Sequence, residues 1–443
     1  MKKFLASLMI LVVSMGLLAG CGSEEKKPEA TDSTESTQTT DESNATDESN
    51  ATESEQEPVT INVTMWTDEK EELTAIKAAF EEENPNIKVE LMEFPSEEYK
   101  DKLTIQLAGG ADIDVITHKN TAEYADLASK GQLLNLEPLV KQDNVDVAPY
   151  GPLYDGLKVE GELFGVPYRK TVTVLYYNKD LFDAAGVDYP SEDMTWDAFR
   201  ELAKTMTTDT VAGAYIHTWP QLWYGVGLQK GASIIDEDLT PFMEALQFRM
   251  DLEADGSIMS FANAKATSAH YKTEFAKGQT AMNIIGDFHV AQLRDLEAEG
   301  EVTFDWDVVP MPHPEGVEPN TTYGTANPIS VAINSEKQEA AWEFVKYVSG
   351  EQGAKIYAEH GNLPAYSNDE IQNIFVGDGS QRPENIEIFT EAKVYLENPS
   401  IPGVGIIKDE IYGREAELTF VGERSVEETF EVIKERIQEE LNK

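Results

Sequence analysis

The sequence predicts an α/β protein built from more than one lobe, and three observations carry that expectation. The chain has 443 residues, a length that accommodates two or three domains. From residue 59 onward, short β-branched and aromatic runs alternate with amphipathic segments, the pattern of strands and helices layered on a sheet. At the centre lies Gly165–Gly186, reading GVPYRKTVTVLYYNKDLFDAAG. Its extended part, about ten residues at ~3.3 Å each, would span roughly 33 Å, enough to leave one lobe and enter another.

Val59–Trp66 (VTINVTMW) is the first expected strand. Asp68 and Glu71 are spaced as a capping box for a helix with Leu73, Ile76 and Phe80 on one face. Asn84-Pro85-Asn86 ends that helix, and Ile87–Met92 is the second strand. Leu103–Leu107 reads as a helix closed by Ala108-Gly109-Gly110, and Asp112–Ile116 as a short buried strand. This alternation predicts a parallel sheet between helical layers, where ligands bind outside the carboxyl ends of the strands. Two loops fall there, Trp66-Thr67-Asp68 and Thr117-His118-Lys119-Asn120. In the central stretch, Thr171–Tyr177 is β-branched, leucine and tyrosine throughout, which favours one strand. Asn178-Lys179-Asp180 supplies turn chemistry, and Gly186 stands at the C-terminal cap of a short helix.

Beyond it, Thr195 caps a helix running to Met206, and Thr240-Pro241 starts another with proline in its tolerated first-turn place. Between them lies an aromatic patch, Trp219-Pro220-Gln221-Leu222-Trp223-Tyr224. Thr303–Val309 is a strand, and Tyr323–Asn334 is a second candidate crossing between lobes. Ser335–Ser349 carries Ala341, Phe344, Val345 and Val348 at helical spacing. Ser425 and Glu428 form a capping box before a last helix with Val426, Phe430, Ile433, Ile437 and Leu441 on one side.

Lysine and arginine number 35 against 82 acids, a formal charge of −47. A polyanion of this size disfavours nucleic acid and the anionic bilayer surface as partners. Only twelve of the acids fall in residues 22–57, so the surplus belongs mainly to the folded part. It reads first as solvated surface; the sharper alternative is a cationic ligand such as a polyamine. One cysteine, Cys21, excludes an intrachain disulfide or a paired-thiolate metal site. No two of the six histidines stand at metal-ligand spacing, and HExxH, GxxxxGK[ST] and GxSxG are absent. No cofactor, metal or catalytic residue is expected, which points to binding. Met1-Lys2-Lys3 followed by apolar Phe4–Leu18 is a signal-peptide pattern, too short for an ordinary membrane span. Ser23–Pro58 lacks aromatics and repeats DESNAT, so it is expected to stay disordered. As a flexible coil its ~36 residues would reach roughly 30–36 Å.

Leu18-Ala19-Gly20-Cys21 resembles the lipobox of bacterial lipoproteins. The resemblance implies cleavage before Cys21 and a lipid thioether on its sulfur, which tethers the chain without a span. Gly165-x-Pro167, then Tyr176-Tyr177-Asn178-Lys179-Asp180-Leu181-Phe182 and Ala185-Gly186-Val187, resembles the first interlobe crossover of family 1 extracellular solute-binding proteins, the sugar receptors of ABC importers. Asn84-Pro85-x-Ile87-x-Val89, Ala108-Gly109-Gly110 with Asp114-Val115, and Gly161, Leu163 and Gly165 follow the same family order. Ile113 stands where that family usually has proline. Phe275-x-x-Gly278-x-x-Ala281-Met282, ending Asp287-Phe288, resembles its sugar platform, with Phe288 in place of the usual tryptophan. Gly361–Ala365 resembles a third crossing.

The resemblance implies a two-lobe, type II periplasmic-binding-protein-like fold, each lobe a mixed sheet flanked by helices. After a signal peptide (1–20) and a lipidated, disordered linker (21–57), residues 58–169 and 326–366 would form one lobe. Residues 170–325 and 367–443 would form the other, with hinges at Arg169–Val172 and Tyr323–Ala326. It implies a monomeric, lipid-anchored receptor on the outer face of a bacterial cell membrane that delivers a carbohydrate to an ABC permease.

Sugar capture needs flat rings against the apolar face of a pyranose and polar side chains against its hydroxyls. The candidates are Trp66, Asp68, His118 and Asn120 in the first lobe's loops and Arg169, beside Tyr168, at the hinge. Trp219, Trp223, Tyr224, Asp287, Phe288, Tyr323 and Tyr412 complete the set. Trp196, Trp306 and Trp342 read as core. Two other readings stay open, the same fold with a polyamine ligand and a surface glycan hydrolase.

Overall fold

The structure, a computed structural model, describes residues 58–443. The expected signal peptide, Cys21 and the acidic linker lie outside the described residues. Eleven strands occur among the described residues: β1 (Val59–Trp66), β2 (Ile87–Phe94), β3 (Val115–Thr117), β4 (Val166–Lys170), β5 (Thr173–Asn178), β6 (Ala212–Ile216), β7 (Thr280–Gly286), β8 (Trp306–Val309), β9 (Thr321–Gly324), β10 (Ala326–Val331) and β11 (Lys393–Leu396). They form a five-stranded sheet, β2-β1-β3-β10-β4, a four-stranded sheet, β6-β7-β5-β8, and a two-stranded ribbon of β9 and β11.

The alternation by itself predicts a parallel first sheet, whereas the structure has the mixed sheet that the family resemblance implies. β1 runs parallel to β2 and β3, but β10 is antiparallel to both β3 and β4. β10 enters from the far side of the molecule, and that reverses its direction. In the second sheet β5 is antiparallel to β7 and β8, while β6 and β7 are parallel. Every residue of β5 and β7 is buried, which accounts for their near-continuous apolar sequence, since helices cover both faces. Trp196, Trp306 and Trp342 are core side chains, as expected.

Several local signals act where the sequence places them. Asn178 and Thr195 accept the N–H groups of Leu181 and Ala198 at the starts of their helices. Gly186 takes the left-handed φ of 66° that lets the chain leave the helix Lys179–Ala185. Ser425 and Glu428 close a complete capping box. The box at Asp68 and Glu71 does not form. Thr67–Glu69 is a 3₁₀ turn, and Asp68 instead accepts the Ser96 hydroxyl at 2.7 Å.

The central strand is also broken in two. Between β4 and β5, the Val172 N–H donates to Asp287 Oδ1 at 2.9 Å and the Val172 carbonyl accepts the Asp287 N–H at 3.0 Å. Those groups are therefore lost to any ladder. At the break, Thr171 N–H donates to the Thr325 carbonyl at 2.8 Å, so the passage β4–β5 lies beside the passage β9–β10. Lys170 N–H donates to the Leu363 carbonyl at 3.1 Å and Ala365 N–H to that of Tyr168 at 3.1 Å, which brings Gly361–Ala365 alongside as well.

Candidate functional site

Trp66, at the carboxyl end of β1, is buried, with 5% of its surface exposed. Its ring meets Tyr99 edge-on at 5.4 Å between centroids, and the Lys119 ammonium stands 5.5 Å from its centroid. Lys119 also donates to the Ser96 carbonyl at 2.7 Å. Asp68, which accepts the Ser96 hydroxyl, completes a group of aromatic, cationic and acidic side chains on the side of the first sheet.

Opposite it stands a cluster from the second sheet. β6 ends at Ile216, and the chain continues through His217 to Trp219. His217 and Trp219 meet edge-on at 4.8 Å. Tyr271 packs at 5.5 Å from Trp219, and Phe288 at 5.8 Å from Tyr271. Trp219 and Phe288 remain half-buried, with ring surface still open. The two sides meet where His270 Nε2 lies 3.7 Å from Glu97 Oε1, in the turn that carries Ser96. The neighbouring His270 imidazole holds the Glu97 carboxyl below its ordinary range. Burial lowers His217 to about 4, so its ring is neutral at physiological pH.

The remaining candidates have other positions. His118 is fully buried, shares a 2.9 Å hydrogen bond with Ser330 Oγ, and is pushed by burial to about 3. It is a neutral core histidine. Asn120 caps the helix Thr121–Ser129 by accepting the Glu123 N–H at 2.9 Å. Arg169 is buried against Glu69 at 2.7 Å and lies over the Tyr357 ring, and the Tyr168 hydroxyl donates to Glu69 at 2.8 Å. Burial, opposed by Arg169 and by the Tyr168 hydrogen bond, raises Glu69 to about 7. Asp287 is fully buried behind the cluster at the Val172 break, its second carboxylate oxygen unpartnered, and burial raises it to about 6.

Trp223, Tyr224 and Tyr412 pack on one another. Tyr412 lies 5.9 Å from Trp223 and 5.6 Å from Tyr224, and Phe242 and Phe430 close the group. Tyr224 donates to Asn398 and Tyr412 to the Ile234 carbonyl. Tyr323 is buried against Gly225, where a Cβ would come within 2.0 Å of its ring. These four side chains thus belong to interior packing. Trp66, Asp68, Trp219 and Phe288 are brought together. Glu97, Lys119, His217, His270 and Tyr271 join them, and sequence reasoning missed all five as candidates. For His217 a signal exists: it directly follows the carboxyl end of β6, as Trp66 stands at that of β1.

Among the described residues no group of three or more His, Cys, Asp or Glu could hold a metal ion. No described helix is long and apolar enough to cross a membrane.

Two helix-flanked sheets, joined by adjacent backbone passes and facing each other across aromatic rings and carboxylates, define a two-lobe ligand receptor. The family model for bacterial extracellular solute-binding proteins matches residues 66–355, and the chain belongs to that family. A sugar transporter of Rhizobium etli, solved in an open conformation, superposes with a TM-score of 0.73 at 30% identity, covering 86% of this chain and 99% of that one. An ABC substrate-binding protein of Listeria monocytogenes in complex with cycloalternan gives 0.77 at 28% identity, covering 87% and 100%. The sn-glycerol-3-phosphate-binding periplasmic protein of Rhizobium meliloti is 26% identical over 227 residues, 47% of this chain and 50% of that protein. The family and these neighbours are binding proteins.

Proposed function

We propose that the chain is a lipid-anchored receptor on the outer face of a bacterial cell membrane, which captures a sugar or oligosaccharide between its lobes and delivers it to an ABC importer. The observation that carries this reading is the apposition of Trp66, Asp68 and Glu97 with Trp219, His270 and Phe288 across the lobe junction. Rings of this kind cover the apolar face of a pyranose while the carboxylates accept its hydroxyls. Residues 58–169 with 326–366 act as one jaw and 170–325 with 367–443 as the other. Ligand shifts the balance toward the closed form, and the adjacent passes serve as the hinge. Trp66, Asp68, Trp219 and Phe288 contact the sugar. His118, Asn120, Arg169, Trp223, Tyr224, Asp287, Tyr323 and Tyr412 hold the frame around it. Cys21 carries the lipid, and the receptor works as a monomer.

A micromolar dissociation constant corresponds to about −8 kcal/mol, within reach of a few stacked rings and several hydroxyl hydrogen bonds. The test is titration calorimetry of residues 58–443 against neutral mono- and oligosaccharides, with spermidine included, before and after Trp66→Ala with Trp219→Ala. Loss of sugar binding is expected, at a held melting temperature for half-buried Trp219→Ala alone and at a lowered one where buried Trp66 is also removed. Undiminished binding removes this site, and binding of spermidine alone replaces the sugar by a polyamine. Release of shorter sugars during incubation would establish a hydrolase instead.

A further inference from the structure

The two sides of the molecule are joined by backbone at one edge of the first sheet and touch again at the other. In the order β2-β1-β3-β10-β4, the pass to the second sheet leaves from β4. The turn Ser96–Glu98 and the helix Tyr99–Ala108 instead follow β2, at the opposite edge. Four strand spacings of about 4.8 Å put that edge roughly 19 Å from the pass. A rotation about the passes therefore displaces this turn more than it displaces the residues beside β4.

Two charges about one helical turn apart reach across from it. Glu97 Oε1 lies 3.7 Å from His270 Nε2, at the start of the helix Tyr271–Ala276. Lys100 Nζ lies 2.8 Å from Asp409, in the segment Ile406–Gly413. Both partners belong to the second side. Tyr271–Ala276 leads into β7, and Tyr412 of the other segment packs on Trp223.

The neighbouring charged groups lie within one side or the other. Lys119, a second cation facing Glu97, donates to the Ser96 carbonyl at 2.7 Å and shares the side of Glu97, so it attracts that carboxylate at any angle between the sides. Asp68 is held there too, by the Ser96 hydroxyl. Across from them, the His217 ring lies 5.2 Å from that of His270 and is neutral at physiological pH. Arg249 pairs with Glu253 and Lys265 with Glu417. Lys272 and Glu274 follow His270 in its own helix, where Glu274 pairs with Lys277. Glu123 and Asp126, which act on Lys100, lie on its own side, and Glu410, beside Asp409, pairs with Arg414.

We propose that the turn carrying Glu97 and Lys100 is an electrostatic latch that favours the joined arrangement of the two sides, with Glu97–His270 as a pH-gated prong and Lys100–Asp409 as a constant one. The proposal rests on the two-jaw hinge of the receptor reading and not on the ligand. The four side chains are 34–70% exposed, so each pair shifts the balance between joined and parted sides by about two- to fivefold. Glu97 is held below its ordinary 4.5, so its contribution is present above that value and lost as pH falls through the lowered one. On the alkaline side it is lost as the imidazole gives up its proton, the one side chain that ordinarily titrates between pH 5 and 8. The latch is tightest in mildly acidic solution and at low salt, since salt screens exposed pairs.

Double electron–electron resonance tests this on the full chain with Cys21→Ser, spin-labelled at Thr104→Cys and Ala262→Cys, exposed positions on opposite sides. Without ligand, the ratio of short to long distances should be about threefold larger at pH 6 than at pH 8, and should fall in 0.5 M salt. Glu97→Gln should abolish the pH dependence. Lys100→Asp should lower the ratio about threefold or more at both pH values, and adding Asp409→Lys should restore it, a rescue that a merely structural role would not give. Where a variant fails to fold, the pH and salt response of the otherwise native chain decides. Distances that ignore pH and salt, a pH response that survives Glu97→Gln, or a charge swap without rescue overturns the latch and leaves the receptor reading standing. If no sugar binds in the calorimetric titration, the receptor reading falls, while the spin-label distances still decide the latch.

Discussion

Replacing Arg169 by methionine isolates the buried ion pair in the backbone pass from β4 to β5. The substitution keeps the unbranched stem and removes the guanidinium that meets Glu69 at 2.7 Å. Glu69 is fully buried, so losing its cation leaves either an uncompensated carboxylate or a proton to be taken up. Breaking a buried pair from one side costs about 3–5 kcal/mol. With ~2.1 cal/mol/K of unfolding entropy per residue, roughly 390 residues give about 0.8 kcal/mol/K, so the melting temperature should fall by ~5 °C. The penalty depends on pH in a definite sense. Burial raises Glu69 to about 7 from an ordinary 4.5, and Arg169 is the largest influence pulling it back. The stability favoured by the protonated carboxyl is complete below 4.5 and disappears as pH rises through 7. Without Arg169 the folded-state pKa climbs further, so the difference from the native chain should be greatest near pH 8 and shrink toward pH 5. Glu69→Gln in the same background should restore most of the loss. Urea unfolding at pH 5 and pH 8 measures both. A difference of equal size at the two pH values, or no loss at pH 8, would refute the assignment of Arg169 as the partner of a buried charge.

Asp287→Asn keeps the acceptor for the Val172 N–H and removes a carboxylate that burial raises from 3.8 to about 6. Stability from the protonated form is full below 3.8 and lost through 6, so the variant should gain about 2–3 kcal/mol on the native chain between pH 4 and pH 7. A flat difference in urea unfolding would contradict this. Gly324→Ala would put a Cβ 1.7 Å from the Thr171 carbonyl oxygen, which belongs to backbone. A loss of about 2–3 kcal/mol is expected in the same assay, and a neutral result would show that the two passes can separate. Ser425→Ala removes the cap at the Glu428 N–H and should cost about 1 kcal/mol, read as a shift of roughly 1 °C in calorimetry.

What could be read from the sequence was what neighbouring residues decide. The caps at Asn178, Thr195 and Ser425 and the exit at Gly186 involve partners within a few positions. The misreadings share a different cause, a competing partner far along the chain. Asp68 has the spacing of a capping box, but Ser96 lies 28 residues on and takes the carboxylate. Thr171–Tyr177 has the composition of one strand, but Asp287, 115 residues away, captures the Val172 N–H and ends the ladder. The aromatic patch posed a third difficulty. The helix Gln221–Gln229 (QLWYGVGLQ) is apolar almost all round, so nothing in its periodicity separates a ring facing ligand from one facing the core. Only tertiary packing places Trp223 and Tyr224 against Tyr412 and leaves Trp219, one turn earlier, half open.

The same long-range bonding ties the backbone passes to two of the proposed ligand-facing rings. Thr171 and Val172 are held by Thr325 and Asp287, and Lys170 by Leu363. The backbone between these anchors is thus held at Lys170, Thr171 and Val172. Phe288 follows Asp287 directly, and Trp66 leads into the turn that ends at Glu69, the partner of Arg169. Phe288 and Trp66 are thus one and three residues from a carboxylate anchored at the backbone passes, while Trp219 has no such neighbour. On the proposed receptor reading, a change in the angle between the passes would carry Phe288 and Trp66 with it.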